Sequence, residues 1–271
     1  MRIAVAGCAG RMGRAVLREV AAERDLELVG GFERPGHPLI GQDLGALIGA
    51  SPVGRVVEGD AGSVIRRAEV VIDFSTPEAT AANAELCAAA GTALVAGTTG
   101  LDDRQRARLD DAAKRVPVVW APNMSQGVNL LLALVARAAE VLGEEFDIEI
   151  AEFHHRHKVD APSGTALALA RAAAAARGVD VEQALVTART GIVGARPAGQ
   201  IGVAVLRGGD VVGDHSVVFA GPGERIELVH RASDRAIYAR GALRAARWLQ
   251  GRAPGLYSMA EVLGLGALSA R

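Results

Sequence analysis

The chain opens with a strand, a glycine turn and a helix, and that opening limits what the rest can fold into. Ile3, Ala4, Val5 and Ala6 form a short continuous apolar run of the kind seen when both faces of a parallel sheet are covered. It runs directly into Gly7, Gly10 and Gly13, and then into a helical pattern from Arg14 to about Glu23 with Val16, Leu17 and Val20 on one face. In such a turn Gly7 permits the sharp reversal, Gly10 lets the backbone approach a pyrophosphate, and Gly13 lets helix and strand pack closely. The spacing here is Gly-x-x-Gly-x-x-Gly and not the commoner Gly-x-Gly-x-x-Gly, so the turn needs its context.

A second strand pattern over 26–32 ends in Glu33, about twenty residues past the last glycine, where an acid can accept hydrogen bonds from the ribose hydroxyls of a dinucleotide. The next residue, Arg34, can instead pair with a 2′-phosphate, so NADH and NADPH both remain open. Residues 53–57 read as a short strand. The alternation then continues: strand 69–74 ending in Ser75 and Thr76, helix 78–90, strand 92–96 ending in Gly97, Thr98 and Thr99, helix 102–115, and strand 116–120 ending in Ala121, Pro122, Asn123 and Met124. Any one of these loops is ordinary turn chemistry. Together they predict a cleft, because an open parallel sheet presents its ligands at the carboxyl ends of its strands.

From about residue 184 the texture changes. Strand patterns at 185–190, 201–206, 211–219 and 226–230 follow one another without intervening helices, which predicts a second α+β domain on a mainly antiparallel sheet. That sheet is expected to supply a subunit interface. An apolar helix over 127–142, capped by Ser125, leads into this domain, and helices over 234–250 and 259–263 close the chain.

Between helix 127–142 and the second domain's strands lies the most unusual stretch. An alternating strand over 146–151 passes into His154, His155, Arg156, His157 and Lys158, and then into Asp160, Pro162, Ser163, Gly164 and Thr165 at the start of an Ala/Leu-rich helix that stops near Gly178. Asp160 or Ser163 can cap that helix and Pro162 suits its first turn. Its leading N–H groups would face solvent or an anion, with five basic or imidazole side chains beside them. If the pleat continues, His154 and Arg156 face one side, His155 and His157 the other. A small polyanion, carboxylate more than phosphate, is the ligand this favours; the competing readings are a solvated charged edge and a metal site at His155 and His157. The metal reading lacks a third ligand at a recognisable spacing.

Composition closes other routes. The 271 residues carry 30 Lys and Arg against 31 Asp and Glu, net charge −1, with 3% aromatic residues, so neither a nucleic acid nor an anionic membrane finds a general attraction or a stacking surface. The apolar runs near 130–135 and 161–176 are broken by Arg137 and Arg171, short of a membrane span. Two cysteines, Cys8 and Cys87, make no disulfide framework, which fits a reducing cytoplasm, and the stretch before Cys8 is too short for a lipoprotein leader.

Gly7, Gly10-Arg-Met-Gly13, Asp73-Phe-Ser75, Gly97-Thr-Thr-Gly100, Asn123-Met-Ser125 and the run from Glu152 to Thr165 together resemble the dihydrodipicolinate reductase family, over nearly the whole chain. The last of these motifs is the specific one. The resemblance implies a Rossmann-type doubly wound parallel sheet in a dinucleotide-binding domain made of 1–125 plus 235–271, and a domain of 126–234 that binds substrate and assembles a homotetramer. It implies reduction of 4-hydroxy-tetrahydrodipicolinate, a small cyclic dicarboxylate, by NADH or NADPH. By match of motif, Gly7, Cys8, Ala9, Gly10, Arg11 and Met12 hold the pyrophosphate and Glu33 and Arg34 the adenosine ribose. Gly97, Thr98, Thr99, Ala121, Pro122, Asn123 and Met124 lie along the nicotinamide half. His154 matches the family's proton donor or acceptor, Lys158 its proton donor, and His155, Gly164 and Thr165 its substrate contacts. Lys158, crowded by His157 and Arg156, is expected to give up its proton the more readily of the two. A two-domain reductase of an amino-acid semialdehyde or imine would instead tolerate loss of His154, and a silent cofactor sensor would not need the His/Lys set that is kept here.

Overall fold

The computed structural model describes residues 1–266. The chain begins with β1 (Arg2–Ala6), α1 (Arg11–Ala22), β2 (Glu27–Phe32), α2 (Leu44–Leu47), β3 (Val57–Glu58), α3 (Ala61–Ile65), β4 (Val70–Asp73), α4 (Pro77–Ala90), β5 (Ala93–Ala96), α5 (Asp103–Ala113) and β6 (Pro117–Trp120). It continues with α6 (Gln126–Leu142), β7 (Asp147–His154), α7 (Gly164–Ala176), α8 (Val181–Ala184), β8 (Leu185–Val186), β9 (Ile201–Arg207), β10 (Gly213–Gly221) and β11 (Glu224–Ala232). Last come α9 (Ala236–Trp248), β12 (Gly255–Tyr257) and α10 (Met259–Val262). Two compact units result, Met1–Ser125 with Arg235–Val262, and Gln126–Asp234. Leu263 to Gly266 group with the second unit, so the first ends at Val262 and not at residue 271; residues 267–271 lie outside the described part.

In the first unit seven strands lie in the order β12-β6-β5-β4-β1-β2-β3, and every pairing is parallel. The chain leaves β1 towards β2 and β3, then returns to β4 on the other side, so strand order reverses between β1 and β4. Ligand crevices of open α/β sheets sit outside the carboxyl ends of the strands at such a point. Helices start where the sequence offers a cap: Thr76 accepts from the Ala79 N–H ahead of α4 with Pro77 at the first position, and Asp102 with Gln105 forms a reciprocal capping box on α5. Strand β3 is only two residues, shorter than the expected 53–57. Asp43 accepts from the Val53 and Gly54 N–H groups and Leu44 donates to the Arg55 carbonyl, which holds that segment as a loop. The C-terminal return adds a strand, β12, to the sheet edge beside β6, and not helices alone.

The second unit is a five-stranded sheet, β11-β10-β7-β9-β8, under α6 and α7. It is mixed: β10 pairs antiparallel with β7 and β11, whereas β9 pairs parallel with β7 and β8. The return after β7 runs through α7 and α8, and a helical crossover brings the chain back to run in the same direction; β8 and β9 are then joined by a long connection, 187–200, that again returns the chain to the starting edge. Ile148, Ile150, Val203, Val217 and Phe219 meet Leu131, Val135, Leu169 and Ala173 in one buried core, each large side chain contributing about 1.5–3 kcal/mol. By length and composition, residues 126–145 are long and apolar enough to cross a membrane, contrary to the sequence estimate. In the fold this helix is amphipathic by burial, with Val128, Leu131, Ala133, Val135, Ala136 and Ala139 buried.

Candidate functional site

The glycine turn is built by close packing. Gly7 has φ +60°, and its carbonyl stands where a Cβ on Gly13 would have to be, so α1 starts closer to the turn than any other residue allows. Gly10 is the N-cap of α1 and offers no side-chain cap, which leaves the helix start to a ligand. Below it a cleft of about 680 Å³ is lined by Gly7, by Glu33 and Arg34 at the end of β2, by Ser75 and Thr76 after β4, and by Gly59, Asp60, Arg66 and Asn83.

Within that cleft Glu33 accepts from the Ala9 N–H at 2.9 Å, tying the end of β2 to the turn. Of the expected cofactor residues, the structure brings Gly7, Glu33 and Arg34 to the cleft wall. Ala9, Gly10, Arg11 and Met12 continue from it into α1. Cys8 is buried with its sulfur against Gly31, leaving only its main chain for a ligand, and burial next to Glu33 pushes its thiol up to about 12.

The loops after β5 and β6 lie outside the lining of this cleft. A Cβ on Gly97 would overlap the Phe74 ring, so glycine is required there by packing as well as by any ligand. The Thr98 hydroxyl is bonded to that of Thr80 at 2.7 Å and its carbonyl accepts from the Trp120 indole N–H, whereas Thr99 is exposed. Ala121 and Met124 are buried, Pro122 is exposed, and the Asn123 side chain accepts from the Ser125 N–H. Sequence reasoning passed over Arg66, which closes α3, and Asn83 on α4, each unremarkable in its place. Only folding brings Asn83 onto the buried Asp73 carboxylate, which also accepts from Ser75.

The second unit concentrates its polar groups at the end of β7. The strand alternates inward Ile148, Ile150, Glu152 and His154, so the core-facing row ends in two ionisable side chains. Glu152 has no solvent exposure. Both its oxygens accept from the Arg207 guanidinium, at 2.8 and 2.9 Å, one also accepts from the Ser163 N–H at 3.0 Å, and the other meets His154 Nδ1 in a short contact. Burial raises its pKa, but the Arg207, His154 and Ser163 hydrogen bonds outweigh it and hold the carboxyl below its usual range.

The pleat does not persist past His154. His155 and Arg156 donate to the carbonyls of Val211 and Gly209 in the β9–β10 connection, and Lys158 closes a turn onto the His155 carbonyl. The expected division of His154 and Arg156 from His155 and His157 by strand face is therefore replaced by a turn, with Arg156 and His157 exposed. Nor is Lys158 surrounded only by cations: its ammonium is bound by both carboxylate oxygens of Asp160, at 2.7 and 2.9 Å. That contact holds the Asp160 carboxyl below its usual range. Asp160 is thus a counter-ion, and Ser163 is the cap of α7, accepting from the Ala166 N–H. Pro162 precedes the cap through a cis peptide and does not sit in the first turn. Gly164 opens the helix exposed, with nothing within 4 Å of where a Cβ would stand, and Thr165 follows. Among the described residues no cluster of His, Cys, Asp or Glu forms a metal site.

His215 was not visible in the sequence as part of this site. It lies on β10 opposite Glu152 and reaches it only through strand register. Burial lowers its pKa from 6.5 to about 4, His154 beside it adding to the effect and Glu152 opposing it. Between those two values the unfolded chain binds the proton more readily than the folded one. The stability from keeping His215 neutral is therefore complete above pH 6.5 and lost as pH falls towards 4. Unfolding free energy measured in urea should fall by about 2 kcal/mol from this group between pH 6.5 and 5. His215→Asn should remove that part of the slope; an identical slope in the variant would contradict the assignment.

Comparison with known proteins agrees with this geometry along the whole chain. Residues 1–124 match the family model described as dihydrodipicolinate reductase, N-terminus, and residues 127–263 match that of the C-terminus. A 4-hydroxy-tetrahydrodipicolinate reductase of Thiobacillus denitrificans is 56% identical over 265 residues, covering 98% of this chain and 99% of the relative. One from an Anaeromyxobacter species is 55% identical, covering 98% of each. Among solved structures, dipicolinate-bound dihydrodipicolinate reductase from Paenisporosarcina sp. TG-14 superimposes with a TM-score of 0.77 at 25% identity, over 96% of this chain and 98% of that one. Amine dehydrogenase from Mycobacterium smegmatis shares the fold, with a TM-score of 0.59 at 13% identity over 96% and 95% of the two chains. With both family models matched in sequence order and relatives more than half identical end to end, the chain belongs to the dihydrodipicolinate reductase family.

Proposed function

We propose that this chain reduces 4-hydroxy-tetrahydrodipicolinate to tetrahydrodipicolinate with NADH or NADPH, in diaminopimelate and lysine biosynthesis. The observation that carries this reading is the end of β7, where buried Glu152 fixes both His154 and the cap of an anion-ready helix on a chain with full-length relatives of that activity. The Paenisporosarcina relative holds dipicolinate, a planar dicarboxylate, which matches the chemistry of this corner.

The first unit suits the cofactor. Its cleft joins a helix start with no side-chain cap to an acid and two arginines, Arg34 and Arg66. The main chain of Gly7, Cys8, Ala9, Gly10, Arg11 and Met12 would take the pyrophosphate, with Glu33 and Arg34 on the adenosine ribose. Gly97, Thr98, Thr99 and Ala121 to Met124 would border the nicotinamide, Thr98 through its main chain since its hydroxyl is engaged. The bound cofactor supplies the hydride.

The second unit would hold the dicarboxylate. One carboxylate suits the start of α7 at Gly164 and Thr165, and His155 and Lys158 would balance the other. Loss of the 4-hydroxyl as water leaves a conjugated ring that accepts the hydride; the resulting electron-rich, enamine-like skeleton must gain a proton, which Lys158 would donate, with His154 as the second donor or acceptor. Asp160 holds the Lys158 ammonium in place until then. A cytoplasmic homotetramer assembled through the second sheet fits the same reading: the face turned away from α6 and α7 leaves Leu206 and Val229 exposed among the described residues.

The test is loss of reduced-nicotinamide absorbance in a mixture containing dihydrodipicolinate synthase, pyruvate and aspartate semialdehyde, run with NADH and NADPH in parallel. Oxidation that needs both the synthase and this protein supports the reading; none with either cofactor, from protein that binds them, defeats the substrate assignment. In the same assay Arg34→Ala should raise KM for NADPH by about tenfold and leave that for NADH within about twofold, because only NADPH has a phosphate for the guanidinium. Equal changes for both would take Arg34 out of cofactor choice.

A further inference from the structure

We propose that His215 is a positioning residue for dicarboxylate binding, fixing the direction of the Ser163 hydroxyl at the start of α7. This rests on the function proposed above. The ring is 4% exposed, on β10, directly opposite Glu152. Its Nε2 lies 3.2 Å from Ser163 Oγ, and its Nδ1 is buried with no hydrogen-bond partner. The ring also stands edge-on to His154, with centroids 5.1 Å apart.

Hydrogen-bond accounting assigns the proton. If the Ser163 hydroxyl donated to Nε2, the proton of neutral His215 would sit on Nδ1, a buried N–H with no acceptor, and such orphaned donors are rare because they are costly. With the proton on Nε2, the orphan is a lone pair and His215 donates to Ser163 Oγ. That oxygen already accepts from the Ala166 N–H at 3.1 Å. Its two lone pairs are then filled by fixed donors, and its own hydrogen is left for a third direction, away from Ala166 and His215. An anionic oxygen at the helix start is the acceptor that this direction, beside Gly164, would favour.

The position is locked from every side. Ser163 is also held through its N–H by Glu152, which carries His154 on its other oxygen. The charged and titratable groups facing His215 are His154 and Glu152 on β7, His230 across on β11, and Lys158 in the turn. Opposite His154, a Cβ on Gly213 would come within 2.9 Å of Nε2, so the absence of a side chain at Gly213 is what leaves room for the His154 ring beside His215.

Dipicolinate is the probe, measured by calorimetry on the full chain, alongside KM for substrate and for NADH. His215→Leu should weaken dipicolinate binding and raise substrate KM by about tenfold, with KM for NADH within about twofold and kcat changed far less than KM. His215→Gln, whose amide N–H can reach the place of Nε2, should restore binding to within about threefold of the parent, and His215→Asn, too short to reach, should not. In a Ser163→Ala background, adding His215→Leu should weaken binding no further, since the hydroxyl it directs is gone. Should the leucine variant not fold, the asparagine variant takes its place in that cycle. Full dipicolinate affinity in His215→Asn, or additive losses with Ser163→Ala, would overturn the proposal while leaving the reductase reading intact. A parent protein that neither binds dipicolinate nor oxidises NADH or NADPH in the coupled assay would overturn both.

Discussion

Lys158→Ala should lower kcat by about a hundred- to ten-thousandfold while KM for NADH or NADPH stays within about twofold. The size follows from removing a positioned proton donor from a step that must protonate carbon, and the selectivity from the separation of roles between units. Every residue proposed for the cofactor belongs to the first unit and Lys158 to the second. Its ammonium is anchored by Asp160, so the variant also leaves an unpaired carboxylate beside the proposed place of an anionic substrate. Substrate KM should therefore rise as well. Lys158→Ala, Asp160→Asn should recover part of the rise in KM and none of the loss in kcat, which separates charge balance from proton donation. Steady-state kinetics in the coupled assay reads both. An unchanged kcat in the single variant would remove Lys158 from the chemistry and leave His154 as the donor.

Much of this was legible in the residues because local rules and tertiary demands agreed. The apolar run from Ile3 to Ala6, the three glycines and, of the two caps considered for α7, Ser163 each name their own structure, and all recur in the fold. What failed to show was anything fixed by register or by a neighbour distant in sequence. Strand β12 is three residues whose sheet position depends on β6. The mixed sheet arises because β9 enters beside β7, a choice made by the crossover through α7 and not by strand patterns. At the site, the row of basic residues suggested a continuing pleat, but the β9–β10 connection captures His155 and Arg156 and ends it. Arg207 and His215 had no motif to announce them. Their roles exist because β9 and β10 flank β7, which puts both opposite or beside Glu152.

That convergence makes Glu152 the residue whose loss should cost the second unit most. Glu152→Ala leaves the His154 Nδ1 position and the Ser163 N–H without their buried acceptor and the part-exposed Arg207 guanidinium with only the Leu206 and Asp160 carbonyls. Breaking a buried pair from one side destabilises by about 3–5 kcal/mol, and the solvent and carbonyls still open to Arg207 place this loss at the lower end of that range. Glu152→Gln should be no milder despite its shape, because its amide NH2 would point a donor at a guanidinium that has only donors to offer. Both variants should unfold about 10 °C earlier by circular dichroism and show reduced kcat, with His154 no longer held. Acid should mimic the mutation. The folded carboxyl titrates below its unfolded value of 4.5, so the stability it contributes is complete above pH 4.5 and lost as pH falls through the lower folded value. The variants should therefore show a shallower acid limb than the parent. If Glu152→Gln unfolds within about 1 kcal/mol of the parent, the network is ornamental and the placement of His154 and Ser163 must come from packing alone.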